Sequence, residues 1–163
     1  MKKLLLMRHG KSSWGNSDIP DHERPLKKRG FKDAERMGKL LKSKELEPDL
    51  IMSSTALRAK QTAETVAETC KCKKEIMFLD SLYMAEPSDI LRAIEKHSKD
   101  KKVVMVIGHN PGLEAFLQIA NGKVESLPTA SIAYLTAAID DWSKLEKGEN
   151  IKLKKLWRPK DLD

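Results

Sequence analysis

Two short apolar runs that each end on a histidine constrain this chain most. Leu4-Leu5-Leu6-Met7 runs into Arg8-His9-Gly10, and Val103-Val104-Met105-Val106-Ile107-Gly108 runs into His109-Asn110-Pro111-Gly112. Apolar runs without polar alternation, bounded by turn residues, predict parallel strands covered on both faces. In such sheets ligands sit in the crevice beyond the carboxyl ends of the strands. Two histidines and an arginine at those ends predict a pocket for phosphoryl transfer.

Strand and helix patterns alternate along the rest of the chain. After a first strand at about Lys3–Met7, a polar loop runs through Pro20, Asp21 and Pro25. Gly30–Lys42 reads as an amphipathic helix with Phe31, Ala34, Met37, Leu40 and Leu41 on one face. Asp49–Met52 is a short strand, and Ser53, Ser54 and Thr55 are N-cap candidates for a helix over Ala56–Cys70. Glu75–Leu79 reads as another strand. Pro87 suits the first turn of a helix that ends near His97, with Ile90, Leu91 and Ile94 inward. The 103–107 strand and a helix over Pro111–Ala120 follow. Ser131–Ala138 and Ile151–Trp157 read as closing strands joined by a polar turn through Asp140, Asp141, Lys147 and Gly148. The alternation predicts an α/β fold: three α/β/α layers around a mostly parallel central sheet. No linker breaks the pattern, so one domain is expected over residues 1–163.

Composition narrows the function. The 163 residues are 40% hydrophobic and 34% charged, with 31 Lys and Arg against 24 Asp and Glu, a formal +7. That balance favours an anionic ligand. The basic residues are scattered, however, and aromatics are only 5%, too few for a platform that stacks bases. No specific nucleic-acid binding is expected. Lys152, Lys154, Lys155, Arg158 and Lys160 read as the wet face of an edge strand. The apolar run after Lys3 falls short of the about 7–15 residues of a secretory core, and no stretch reaches the ~18 residues of a membrane span. A cytoplasmic protein with no membrane association is expected. Cys70 and Cys72 lack a second ligand pair for zinc and read as reduced surface thiols. No metal and no cofactor are expected.

The chemistry gathers in three segments with one layout: apolar strand, reactive side chains, helix start. They are Arg8-His9-Gly10, Ser53-Ser54-Thr55-Ala56-Leu57-Arg58-Ala59 and Gly108-His109-Asn110-Pro111-Gly112. Parallel neighbouring strands would bring all three to one sheet edge. Arg58 would lie in the first turn of its helix, where free N–H groups and the macrodipole attract anions. Arginine's planar fork binds phosphate in a bidentate way that lysine cannot reproduce. Two arginines and two histidines around one point would hold the equatorial oxygens of a transferring phosphoryl group.

Arg-His-Gly after an N-terminal strand, Ser54-Thr55-Ala56-Leu57-Arg58-Ala59-Lys60-Gln61-Thr62 and a strand-terminal Gly-His form a specific set when taken together. On these residues the chain resembles the histidine phosphatase superfamily, with its phosphoglycerate-mutase-like fold, and within it the short SixA-type phosphohistidine phosphatases. Arg24-Pro25-Leu26 and Gly30 fall in the expected order. The resemblance implies that His9 is a nucleophile that forms a phosphohistidine, which water then hydrolyses. It implies that Arg8 and Arg58 clamp the phosphate and that His109 donates to a phosphoryl oxygen. Arg24 is expected at the pocket rim. A nucleophilic His9 must be neutral, its other ring nitrogen held by a backbone carbonyl. His22, between Asp21 and Glu23, reads as exposed, and His97 as a helix-terminal cation.

The chain departs from the family at the general acid. Many relatives carry an acidic residue after the third strand, or an aspartate after the second histidine; here that second position is Asn110. Glu86 is the candidate acid, with Asp89 behind it, although Glu86 before Pro87 also suits a helix cap. An alkoxide needs protonation to leave, whereas imidazole has an unperturbed pKa of about 6.5. The weak acid therefore favours a phosphohistidine substrate on a protein. A small phosphomonoester, or silent phosphate binding, is the alternative. The absence of a long insertion favours an open site rather than a mutase. The chain is expected to be a monomer.

Overall fold

The computed structural model describes residues 1–14, 18–72, 74–147 and 150–162. Gly148 of the expected polar turn lies outside them. Among the described residues the strands are β1 (Lys2–Arg8), β2 (Leu50–Ser54), β3 (Ile76–Leu79), β4 (Val103–Gly108), β5 (Ile132–Ala137) and β6 (Ile151–Trp157). They form one six-stranded sheet in the order β3-β2-β4-β1-β5-β6. The pairs β1–β4, β2–β4 and β2–β3 are parallel, and β5 and β6 add antiparallel to one side. The α-helices are α1 (Lys28–Ser43), α2 (Leu57–Thr69), α3 (Pro87–Ser98) and α4 (Gly112–Asn121). The mostly parallel α/β sheet expected from the apolar runs is present.

Successive strand side chains face opposite sides of a sheet, and here both sides are dry. Leu4, Leu6, Met52, Val104 and Val106 pack with α3, α4 and Trp142 on one face. Leu5, Met7, Ile51, Met105 and Ile107 pack with α1 and α2 on the other. Each fully buried side chain of this kind stabilises the fold by roughly 1.5–3 kcal/mol over exposure. Covering both faces explains the lack of polar alternation in β1 and β4.

Some local expectations are corrected. Phe31 does not join the buried face of α1: it is 37% exposed, while Ala34, Met37 and Leu41 are fully buried. It sits in the first turn, and there the buried small residue is Gly30, one position earlier. Cys70 is not a surface thiol. It closes α2 inside the core under α1, and burial pushes its pKa up to about 11. Cys72 is half-buried, its Sγ 3.2 Å from the Pro48 carbonyl oxygen. None of Ser53, Ser54 and Thr55 is the N-cap of α2; Ala56 holds that position. Ser54 Oγ accepts the Ala56 N–H from two residues away.

Candidate active site

Register brings the two histidines together. Parallel pairing of β1 with β4 sets Arg8 beside Gly108, and the His9 N–H donates to the Gly108 carbonyl at 3.1 Å. His9 and His109 are the next residues on each strand, and their ring centroids lie 5.0 Å apart. β2 lies on the other side of β4 and delivers the start of α2, with Arg58 in its first turn. Thr62 ties α2 to β1: its hydroxyl donates to the Arg58 carbonyl at 2.7 Å and accepts the Gly10 N–H at 3.0 Å. Gly10 has no room for a side chain, because a Cβ there would lie 2.8 Å from the Gly30 carbonyl oxygen.

A cavity of about 370 Å³ opens where these ends meet, lined by Arg8, His9, Arg24, Arg58, His109 and Asp21 among others. His9 is almost wholly buried. Its Nδ1 lies 2.7 Å from the Gly10 carbonyl oxygen; a carbonyl only accepts, so Nδ1 carries the proton and Nε2 keeps the lone pair. Burial, then the charges of Arg58, Arg8 and Arg24, lower the His9 pKa to about 4, against the opposing pull of the Gly10 hydrogen bond. The imidazole is neutral at physiological pH. His109 is lowered to about 3, by burial first and then by His9 and Arg58. Its Nε2 lies 2.8 Å from Ser54 Oγ.

Three buried nitrogens on cavity-lining residues have no hydrogen-bond partner among the described residues: Arg8 Nε, Arg58 Nε and His109 Nδ1. Buried donors without partners are rare and costly. Among the described residues the Arg8 side chain otherwise reaches the Leu127 carbonyl, at 3.4 Å. The Asn110 amide donates to that same carbonyl at 2.9 Å. Asn110 therefore fastens a wall of the cavity.

Arg24 does line the cavity, but it is also a brace. It donates to Asp21 Oδ1 at 3.0 Å, Ser12 Oγ at 2.9 Å and the Ser13 carbonyl at 3.0 Å, and it stacks 3.7 Å over Trp14. Glu86 stands outside this cavity, as the N-cap of α3 on a neighbouring one. Asp89 is engaged there, accepting the Glu86 N–H at 2.9 Å. His22 is not simply exposed: it is half-buried, 2.9 Å from Thr55 Oγ1 and edge-on to Tyr83. His97 lies in the last turn of α3, as expected.

Asp21 is the residue that the sequence reading missed. Its Oδ2 accepts the Tyr83 hydroxyl at 2.6 Å and Arg58 Nη2 at 3.1 Å, and its backbone carbonyl accepts Arg58 Nη1 at 2.8 Å. The Tyr83 hydrogen bond, with Arg58 and Arg24, holds its pKa at about 2. Such a carboxyl is ionised at neutral pH and has no proton to donate there. Tyr83 was also missed; its ring stands edge-on to His109 at 5.5 Å. The available signal was Asp21 three positions before Arg24 in an otherwise unpatterned loop. Among the described residues no three His, Cys, Asp or Glu side chains cluster as metal ligands, and no helix is long and apolar enough to cross a membrane.

Comparison with known proteins bears on the fold and the family. The chain is 31% identical over 152 residues to an uncharacterised chloroplastic protein of Arabidopsis thaliana, covering 88% of this chain and 70% of that one. It superposes on the proposed phosphohistidine phosphatase SixA from Agrobacterium tumefaciens with a TM-score of 0.83 at 28% identity, covering 97% and 98% of the two chains. A protein histidine phosphatase SixA complexed with tungstate shares the fold, with a TM-score of 0.83 at 24% identity over 99% of each chain. The family model of the histidine phosphatase superfamily (branch 1) matches residues 4–82. On this agreement of sequence and fold, the chain belongs to the histidine phosphatase superfamily.

Proposed function

We propose that this protein is a metal-independent phosphatase that uses His9 as its nucleophile, passes through a phosphohistidine at that residue, and acts on phosphohistidine in a protein. The observation that carries the reading is the set of unclaimed donors around one cavity. Arg8 Nε, Arg58 Nε and His109 Nδ1 are buried without partners among the described residues, beside an imidazole whose proton is held on the far nitrogen. A phosphoryl group is the chemistry such a set accommodates.

In this mechanism the His9 Nε2 lone pair attacks phosphorus in line, and the N–P bond forms as the bond to the leaving group breaks. Arg8 and Arg58 hold the equatorial oxygens, where charge accumulates. A proton on His109 Nδ1 adds a third donor. Water then attacks phosphorus on His9 and releases inorganic phosphate. Arg24 supports Arg58 through their shared partner Asp21.

The substrate class follows from the acids at hand. Asp21 is held ionised, Asn110 has no acidic proton, and Glu86 is exposed at a helix cap. None is a protonated carboxyl buried beside the cavity. An imidazole leaving group tolerates that better than an alkoxide does. The name of the Agrobacterium relative points the same way.

The test is a substrate panel with trapping of the intermediate. Radiolabelled phosphohistidine peptide should label the wild-type chain in an acid-labile manner, and His9→Ala should abolish both label and turnover. Full turnover by His9→Ala would overturn the mechanism. Alkyl phosphates cleaved as fast as phosphohistidine would overturn the substrate class.

A further inference from the structure

A second cavity, of about 300 Å³, adjoins the phosphate cavity and shares Asp21, Arg58, His109 and Asn110 with it. The two differ in charge. The phosphate cavity is lined by Arg8, Lys11, Arg24 and Arg58, with Asp21 as its one acid. The second adds Tyr83, Met84 and Glu86, so it holds two carboxylates against the shared Arg58. A group leaving phosphorus beside His109 would enter this second space. An alkoxide there would meet negative charge.

Asp21 stands on the boundary. Of the roughly four lone-pair sites on a carboxylate, three are taken, by Tyr83, Arg58 and Arg24. The side chain remains 50% exposed, so one acceptor site is open to a ligand. Tyr83 sets its ring edge-on to His109 and its hydroxyl on Asp21. One wall thus combines an aromatic ring with a carboxylate, groups that suit a flat ring bearing an N–H.

The chemistry of the departing nitrogen says what that carboxylate does. In a phosphorylated imidazole the electron pair of the breaking P–N bond stays on the ring. If the distal nitrogen is unprotonated, the ring leaves as an anion; if it carries a proton, the ring leaves as neutral imidazole. His9 already has this arrangement, since Gly10 holds a proton on its Nδ1 at 2.7 Å. When water cleaves phospho-His9, that residue departs from phosphorus as a neutral ring. Asp21 is the only described carboxylate lining both cavities.

We infer that the second cavity is the leaving-group site, and that Asp21 there accepts the distal N–H of a phosphorylated imidazole. The chain thereby selects phosphoramidates whose leaving ring departs neutral. The inference rests on the phosphohistidine reading above. An adjacent opposite charge favours the protonated form of such a ring by about 1–3 pKa units, so the selectivity is about tenfold or more.

The experiment compares wild type with Asp21→Asn and Asp21→Glu on phosphohistidine and on p-nitrophenyl phosphate, whose leaving group needs no proton. Asp21→Asn should lower kcat/KM for phosphohistidine at least about tenfold more than for p-nitrophenyl phosphate, with Asp21→Glu recovering part of the ratio. Equal losses on both substrates would overturn the inference and leave Asp21 as a brace for Arg58. Wild-type protein that turned over p-nitrophenyl phosphate through His9 but left phosphohistidine intact would instead sink the phosphohistidine reading itself.

Discussion

Ser54 and His109, 55 positions apart in the chain, meet with Oγ 2.8 Å from Nε2. The serine is fully buried at the end of β2, and its oxygen also accepts the Ala56 N–H at 3.2 Å. Its hydroxyl can therefore donate to Nε2, which puts the imidazole proton on Nδ1, the nitrogen without a partner among the described residues. In the proposed mechanism Ser54 is a positioning residue, orienting the ring so that the other nitrogen faces the phosphoryl group.

Ser54→Ala should lower kcat/KM by about tenfold, the cost of one buried hydrogen bond. It should also redistribute the His109 tautomer, read from imidazole ¹⁵N chemical shifts. A purely structural role would leave those shifts unchanged.

The buried histidines make stability depend on pH in a definite direction. The folded-state pKa of His9 is lowered to about 4, by burial and then by Arg58, Arg8 and Arg24, and that of His109 to about 3, by burial and then by His9 and Arg58. In the unfolded chain both titrate near 6.5. Between these values the unfolded state binds more protons, so stability rises with pH. The contribution is fully present above about 6.5 and is lost as pH falls to about 4 for His9 and about 3 for His109. The melting temperature should drop across that window, and histidine NMR titration should show His9 still neutral at pH 5. A His9 midpoint near 6.5 would refute the neutral-nucleophile geometry.

Turnover should be insensitive to chelation. The charge that a metal would supply is present in Arg8 and Arg58. Exhaustive dialysis against EDTA should leave kcat within experimental scatter, and loss of activity restored by a divalent cation would contradict this.

Gly112 locks α4 against the segment that carries Tyr83 and Glu86. A Cβ at Gly112 would lie 2.1 Å from the Ala85 carbonyl oxygen, so backbone must shift. Gly112→Ala should destabilise the fold by about 1–3 kcal/mol, as overpacking does. Activity should fall as well, because the second cavity is built on that contact. Chemical denaturation and kcat/KM measure the two effects.

Much of this architecture was legible in the chain because burial has a period. Strands covered on both faces leave continuous apolar runs, so β1 and β4 were placed to within a residue or so. The glycines and histidines after them marked the strand ends. The α3 start at Pro87 followed from fixed φ at a first helical position. The errors fell where local pattern is silent. Phe31 looked inward on the helical period, yet Gly30 faces the core in that turn. Cys70 looked like a surface thiol in a lysine-rich stretch, yet it closes α2 under α1. His22 looked like loop, yet it packs on Tyr83.

What the sequence determined by itself is the set of residues delivered to one sheet edge: Arg8, His9, Arg58 and His109 follow from strand ends and helix starts, which are local properties. What only the tertiary structure decided is how that set is surrounded. Asp21 reaches Arg58 across 37 positions and Tyr83 across 62, and Ser54 reaches His109 across 55. Those meetings depend on strand order and loop closure, whose free energy comes from contacts far apart in the chain, and no periodicity within a segment records them.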